Sequence, residues 1–156
     1  MTTYSIVSKQ SGGSWKPGFN MLHVRLDLGT INNGAGLSAG DVVRLAQIPD
    51  HAVLYESFYR VTVTSTSTGT ADIGTTLNGT GQEVVAGLDL DGGAGNLEWI
   101  QGTIQTDAGA EEIVDAESYL TYEQLGAIGA DGIVEVALIL LMFPGGLIPL
   151  SQTVIT

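Results

Sequence analysis

The sequence predicts an all-β chain: an antiparallel two-sheet β-sandwich of jelly-roll or Greek-key type, preceded by an extended N-terminal arm. Three observations carry this. Only 14% of the residues are charged while 22 are glycine, and Thr, Val and Ile are frequent, which suits pleated strands and tight turns better than helical faces. Apolar residues recur with a period of two, and a strand throws alternate side chains to opposite faces. Finally, roughly eight such runs follow one another at near-regular spacing, separated by Gly, Asn, Asp and Pro, the usual pattern of sandwiches. A chain of 156 residues fits one domain that buries roughly 70% of the surface of its unfolded form.

Taken in order, residues 1–20 are polar and rich in Gly and Ser, with too little apolar surface to fold alone. They are expected to form an arm, a partly ordered lead-in or a segment crossing onto a neighbouring subunit with Trp15 and Phe19 as anchors. The remaining residues, 21–156, are expected to form the single sandwich domain. Residues 21–28 alternate cleanly, with Leu22, Val24, Leu26 and Leu28 inward and His23, Arg25 and Asp27 outward. Residues 29–40 hold four glycines and two asparagines and predict a loop. Residues 41–48 form the next strand, ended by Pro49-Asp50.

A long strand follows. Val53, Tyr55, Tyr59, Val61 and Val63 share one parity and predict an apolar face; Glu56, Arg60, Thr62 and Thr64 share the other. Ser67-Thr68-Gly69-Thr70 then predicts a hairpin turn into a shorter returning strand, residues 71–75. Residues 84–90 and 97–105 are further strands, residues 107–117 an acidic connection with a helical leaning around residues 110–116, and residues 118–125 a strand with Tyr119 and Tyr122. Residues 133–143 are apolar on both parities except at Glu135. A strand greasy on both faces must be covered on both, by a second sheet or by another subunit. The C-terminal tail, with Leu147, Ile148 and Leu150, is apolar and is expected to be docked. Trp15, Phe19, Ile139, Leu141, Phe143, Leu147, Ile148 and Leu150 are therefore the candidate interface residues.

Charge and motif content exclude several functions. Seventeen acidic residues against five basic ones give a net charge of −12, which repels phosphate backbones and anionic membrane surfaces. The apolar run before Pro144 is far shorter than the about 20 residues a bilayer span needs. No N-terminal signal sequence is evident. With no cysteine a disulfide is impossible, in keeping with synthesis in a reducing cytoplasm.

No catalytic motif emerges, and the sequence implies no cofactor. His23 and His51 lack His, Cys or Glu neighbours at ligand spacing, so a zinc or cupin-type metal site has too few ligands. Asp89 and Asp91 precede a glycine turn and form a weak calcium candidate. The fifth and twelfth positions of that stretch are Gly93 and Ile100, where a calcium loop wants oxygen donors. Glu111-Glu112 reads as a solvated acidic edge. Thr62, Thr64, Thr66, Thr68 and Thr70 share one parity, as solvent-side strand formers do; an ice-, sugar- or protein-binding array is the sharper alternative, cut by Gly69. A carbohydrate-binding sandwich would use an exposed aromatic pair drawn from Trp15, Trp99, Tyr119 and Tyr122.

The order Leu37-Ser38-Ala39-Gly40-Asp41-Val42-Val43-Arg44-Leu45, then Ile48-Pro49-Asp50-His51-Ala52-Val53-Leu54, a strand over residues 58–64 and the short Thr70-Ala71-Asp72-Ile73-Gly74-Thr75 resembles small virion proteins of tailed bacteriophages. The similarity is to their jelly-roll head-decoration, or capsid cement, proteins. It spans residues 21–143 and rests on strand and turn positions rather than on chemistry. It implies a non-enzymatic homotrimer on the outer surface of the virion capsid, holding neighbouring major capsid protein subunits together. A phage tail or head-fibre module of similar fold is the first alternative, and the carbohydrate-binding sandwich the second.

Overall fold

A computed structural model describes residues 1–6, 16–49, 52–75, 84–92, 98–102, 112–113, 118–127 and 129–142. Its strands are β1 (Thr3–Ser5), β2 (Gly18–Asp27), β3 (Val42–Ile48), β4 (Val53–Val63), β5 (Thr70–Thr75), β6 (Val85–Asp89), β7 (Ile100–Gln101), β8 (Glu112–Ile113), β9 (Ser118–Leu125) and β10 (Ile133–Met142). They build two sheets. The back sheet runs β1-β3-β9-β5-β6, and the front sheet β2-β10-β4-β7, with β8 also paired to β4. All pairings are antiparallel except β1 with β3.

Leaving aside the short β1 and β8, eight strands divide four and four, and the chain changes sheet at almost every connection. That is the double Greek key of a jelly roll, in agreement with the fold class expected from the sequence. The core lies between the sheets. From the front come Leu22, Leu26, Leu54, Val134, Leu138 and Leu140; from the back Val43, Ile48, Ile73, Leu120 and Tyr122 face them. Each fully buried aliphatic chain contributes roughly 1.5–3 kcal/mol.

The clean alternation of residues 21–28 is present, and the strand begins three residues earlier, at Gly18. Beyond it, the expected loop contains a kinked 3₁₀ segment, Leu28–Gly34, opened by the Asp27 carboxylate accepting the Gly29 amide at 3.1 Å. Asn32 and Asn33 take positive φ there (53° and 54°), which asparagine tolerates best after glycine. The segment packs Leu28 and Ile31 into the core.

Five expectations are corrected. β4 and β5 are not a hairpin: β4 pairs with β10 and β5 with β9 and β6, in opposite sheets. The turn residues between them make a crossover. It is fixed by Asp131, which accepts from Ser65 Oγ at 2.8 Å, Thr66 N at 2.9 Å and Thr66 Oγ1 at 2.8 Å, and by the Ser65 amide donating to Leu90 O. That crossover dissolves the threonine ladder, since among its members Thr62 lies in β4, Thr70 in β5, and Thr66 bends onto Asp131.

The predicted parity of β4 holds at Tyr59 and Val61, which face inward, and at Glu56 and Arg60, which face outward, but fails at Val53, Tyr55 and Val63. Two bulges interrupt the strand. At the first, Tyr55 is an extra residue between Leu54, opposite Leu140, and Glu56, opposite Ile139, so this bulge flips the faces. The second is at Thr62, between Val61 opposite Val134 and Val63 opposite Ile133. Leu54, Ser57, Tyr59 and Val61 point inward, while Val53, Glu56, Phe58, Arg60 and Val63 point outward. The helical leaning around residues 110–116 gives way at Glu112–Ile113 to pairing with Val53–Leu54. The expected strand over residues 97–105 is a strand at Ile100–Gln101 among the described residues.

The N-terminus is an edge strand. Thr2 donates its amide to Asp41 Oδ1 at 2.6 Å, Ser38 donates to Asp41 Oδ2 at 3.0 Å, and Val42 N and Ile6 N close the ladder on Thr2 O and Arg44 O. These bonds hold the Asp41 carboxyl below the usual aspartate range, the Thr2 amide foremost.

Candidate functional site

The two outer faces of the sandwich differ in kind. On the back sheet the outward residues include Arg44, Gln47, Asp72, Thr121 and Glu123, with the Arg44 guanidinium 4.5 Å from the Tyr119 ring centre. On the front sheet, β10 lies between β2 and β4, and its odd-numbered residues head cross-strand rows. Leu141 stands between Phe19 and Val53, Ile139 between Met21 and Glu56, and Ala137 between His23 and Phe58. Glu135 stands between Arg25 and Arg60, and Ile133 between Asp27 and Val63. The even-numbered residues of β10 fill the core, so these rows face outward.

Most of the large apolar side chains exposed among the described residues belong to this face: Phe19 at 64%, Met21 at 74%, and Tyr55, Val63 and Trp99. Phe19 and Tyr55 meet edge to face with ring centres 5.1 Å apart. Such clustering on one sheet, with polar residues on the opposite one, makes this face the candidate interaction surface. The interface candidates Phe19, Ile139 and Leu141 are brought together in adjoining rows. Trp15, Phe143, Leu147, Ile148 and Leu150 lie outside the described residues, as do His51 and Glu111.

In the middle of the face sits a charged group that sequence reasoning missed. Glu135, nearly buried, accepts from Arg60 Nε at 2.6 Å and from Nη2 at 2.5 Å on one oxygen, Oε2; His23 Nε2 stands 3.7 Å from the same atom. Trp99 covers the group, its ring centre 4.5 Å from the Arg60 guanidinium and 5.7 Å from the His23 ring. The signal available beforehand was Glu135 itself: a lone carboxylate in a strand greasy on both parities requires a partner. The group neutralises charge inside an apolar surface, and its members are turned toward one another.

The remaining candidates fall elsewhere. Asp89 and Asp91 are neighbours in the turn after β6, where Asp89 Oδ1 accepts the Asp91 amide at 3.2 Å. The side-chain hydrogen bond with Asp89 raises the Asp91 carboxyl above its usual range. Among the described residues no group of three His, Cys, Asp or Glu side chains converges for a metal. Tyr122 is corrected: it is fully buried, not an exposed sugar platform, and donates its hydroxyl to Gln124 Oε1 at 2.6 Å. Burial pushes its phenol well above the ordinary range. No helix among the described residues is long and apolar enough to cross a membrane.

No protein-family model matches the chain. No curated protein matches its sequence. Solved structures do share its fold. A chain from the acidic stable capsid of Helicobacter pylori bacteriophage KHP30 aligns with a TM-score of 0.56 at 11% identity, covering 82% of this chain and 90% of that one. One from the capsid of Ralstonia phage GP4 gives 0.54 at 16% identity, over 88% and 97%. One from the capsid of cyanophage Pam1 gives 0.55 at 14% identity, over 85% and 92%. At these identities the likeness is one of fold, and it extends over nearly the whole of each partner chain.

Proposed function

We propose that this chain is a non-enzymatic structural protein of a bacteriophage virion: a decoration protein that sits on the outside of the capsid and cements neighbouring major capsid protein subunits, as a homotrimer. The observation that carries this is the outer face of the front sheet, where Phe19, Met21, Tyr55, Ile139 and Leu141 form an apolar surface on an otherwise acidic molecule. Of the seventeen acidic residues, Asp27, Glu56 and Glu135 belong to these rows, and Glu135 is neutralised by Arg60. An acid-poor, apolar face is suited to dock on a protein shell, while the acidic remainder keeps the particle exterior soluble.

The fold shared with chains from three phage capsids supports a place in the head over a tail or head-fibre module. Trp99 and Tyr119 are stacked on Arg60 and Arg44, which favours a protein-docking role over carbohydrate binding.

The test is co-sedimentation of the purified chain with phage shells lacking it. Stoichiometric binding and greater heat resistance of filled heads are expected, and light scattering of the free chain should give three times the 16.2 kDa chain mass. Heads equally heat-resistant with and without the chain would overturn the cementing role.

A further inference from the structure

In the front sheet β2 pairs with β10 on one side, and its other side meets no described strand. Leu28 lies one step past the Asp27–Ile133 pair, directly opposite Gly132, and its amide donates to Gly132 O at 3.0 Å. In an antiparallel ladder such bonded pairs alternate with pairs whose N–H and C=O groups turn away. The even-numbered residues of β2 therefore bond to β10, while Phe19, Met21, His23 and Arg25 aim their N–H and C=O groups at the open edge. Nothing among the described residues bonds to these groups. The run ends at Asp27, whose carbonyl accepts from Thr30 Oγ1 at 2.8 Å.

The other sheet edges are blunted, as free edges commonly are. β1 has three residues, β7 and β8 two each, and β6 five, with a register shift against β5 and Gly87 at φ 65°. β2 instead runs for ten residues with no proline and no register shift. It also carries Phe19 and Met21, the two most exposed large apolar residues of the proposed docking face.

We infer that β2 takes up an extended segment of a shell subunit as an added strand along Phe19 to Arg25. The inference rests on the proposed docking function for the source of that segment. Its chemistry follows from β2: apolar side chains beside Phe19 and Met21, and a carboxylate opposite Arg25. Arg25 is exposed, and the carboxylate across from it on β10, Glu135, gives its Oε2 to Arg60. Main-chain bonds would supply affinity and these side chains selectivity. A second copy fits the edge less well. Pairing β2 with its own copy requires a two-fold axis, whereas the proposed trimer has a three-fold one, and two chains of charge −12 repel each other.

Residue-resolved hydrogen exchange, on the free chain and on the chain bound to phage shells lacking it, reads the ladder directly. In the free chain the Met21, His23 and Arg25 amides should exchange about a hundredfold faster than those of Leu22 and Val24, and on shells they should slow by about tenfold or more. His23→Pro removes one outward N–H and spares the β10 ladder, a placement that edge strands accept. It should attach about tenfold more weakly than His23→Ala, which keeps that N–H. Arg25→Glu should also weaken attachment about tenfold, and unaltered attachment would overturn the acidic partner residue. Slow exchange at the three odd-numbered amides of the free chain would overturn the inference, at low concentration because the chain covers its own edge, only at high because a second copy does. Attachment that leaves these amides fast, or that the two His23 variants weaken equally, would overturn strand addition and leave docking standing. No attachment at all would overturn docking itself, and the added strand with it.

Discussion

Arg60 and Glu135 are 75 positions apart in sequence and directly opposite one another on neighbouring strands, joined through both Nε and Nη2 of the guanidinium to a single carboxylate oxygen. The pair sits between Arg25 and the apolar rows of the outer sheet face, with Trp99 stacked on the guanidinium.

Removing one partner should cost more than removing both. Arg60→Ala leaves a nearly buried carboxylate uncompensated, and an expected loss of about 2–4 kcal/mol follows from measured buried pairs, toward the lower end because Arg60 is partly solvated. The double replacement Arg60→Leu with Glu135→Leu should lie within about 1 kcal/mol of the unaltered protein, since apolar neighbours accept it. Urea unfolding of the three variants checks this; a double variant as unstable as the single one would refute it.

The back sheet holds a second buried polar element. Gln124, fully buried, accepts the Tyr122 hydroxyl on Oε1 and donates Nε2 to Ala127 O at 2.8 Å. Gly69 and Gly129 form its slot: a Cβ would come 2.5 Å from Nε2 at Gly69 and 2.4 Å from Oε1 at Gly129. Gly129→Ala should therefore destabilise by roughly 1–3 kcal/mol through overpacking. Gln124→Leu should cost about as much by stranding the Tyr122 hydroxyl. Thermal unfolding of each variant is the measurement, and an unchanged midpoint for Gly129→Ala would show that the slot is not closed.

Acid should loosen the molecule at two defined places. The hydroxyls of Ser65 and Thr66 and the Thr66 amide hold the Asp131 carboxyl below its usual range, and the Thr2 and Ser38 amides do the same for Asp41. A carboxyl depressed on folding contributes stability that is fully present above its unfolded value, about 3.9, and is lost as pH falls through the folded value. Stability should thus decline below about pH 4, and Asp131→Asn should flatten the decline. Hydrogen exchange at low pH should open β1 first, because Asp41 ties it to β3. An unchanged acid limb in both Asp131→Asn and Asp41→Asn would remove these groups from the account.

Much of this architecture was legible, and what was not has a physical reason. β2 could be placed from alternation alone and the end of β3 from Pro49-Asp50, and the double-sided apolarity of β10 matches a central strand whose even-numbered residues fill the core. The β4–β5 hairpin was misjudged because Ser67 to Thr70 specifies only that the chain bends. Which sheet receives the next strand is decided by Asp131, Leu90 and β9, all distant in sequence. The face of β4 is misread at Val53, Tyr55 and Val63 because two extra residues, Tyr55 and Thr62, each reverse the alternation, and a bulge leaves no periodic trace. Phe19, Ile139 and Leu141 were singled out for their greasiness; that they share adjoining rows depends on the β2–β10 register.

The proposed docking face gives the sharpest mutational expectation. Phe19 and Met21 are well exposed and bonded to nothing in the core, so replacing them leaves folding nearly unaltered. At an interface, large central apolar residues dominate binding, with losses of 1–2 kcal/mol or more on truncation. Met21→Asp should therefore weaken attachment to phage shells at least tenfold, equivalent to about 1.4 kcal/mol, with the unfolding midpoint unchanged. Arg44→Asp, a charge change twice as large on the polar back sheet, should leave attachment intact. Quantitative pelleting with shells reads both variants side by side. Equal loss in the two would point to general electrostatics, and loss confined to Arg44→Asp would move the contact to the opposite side of the sandwich.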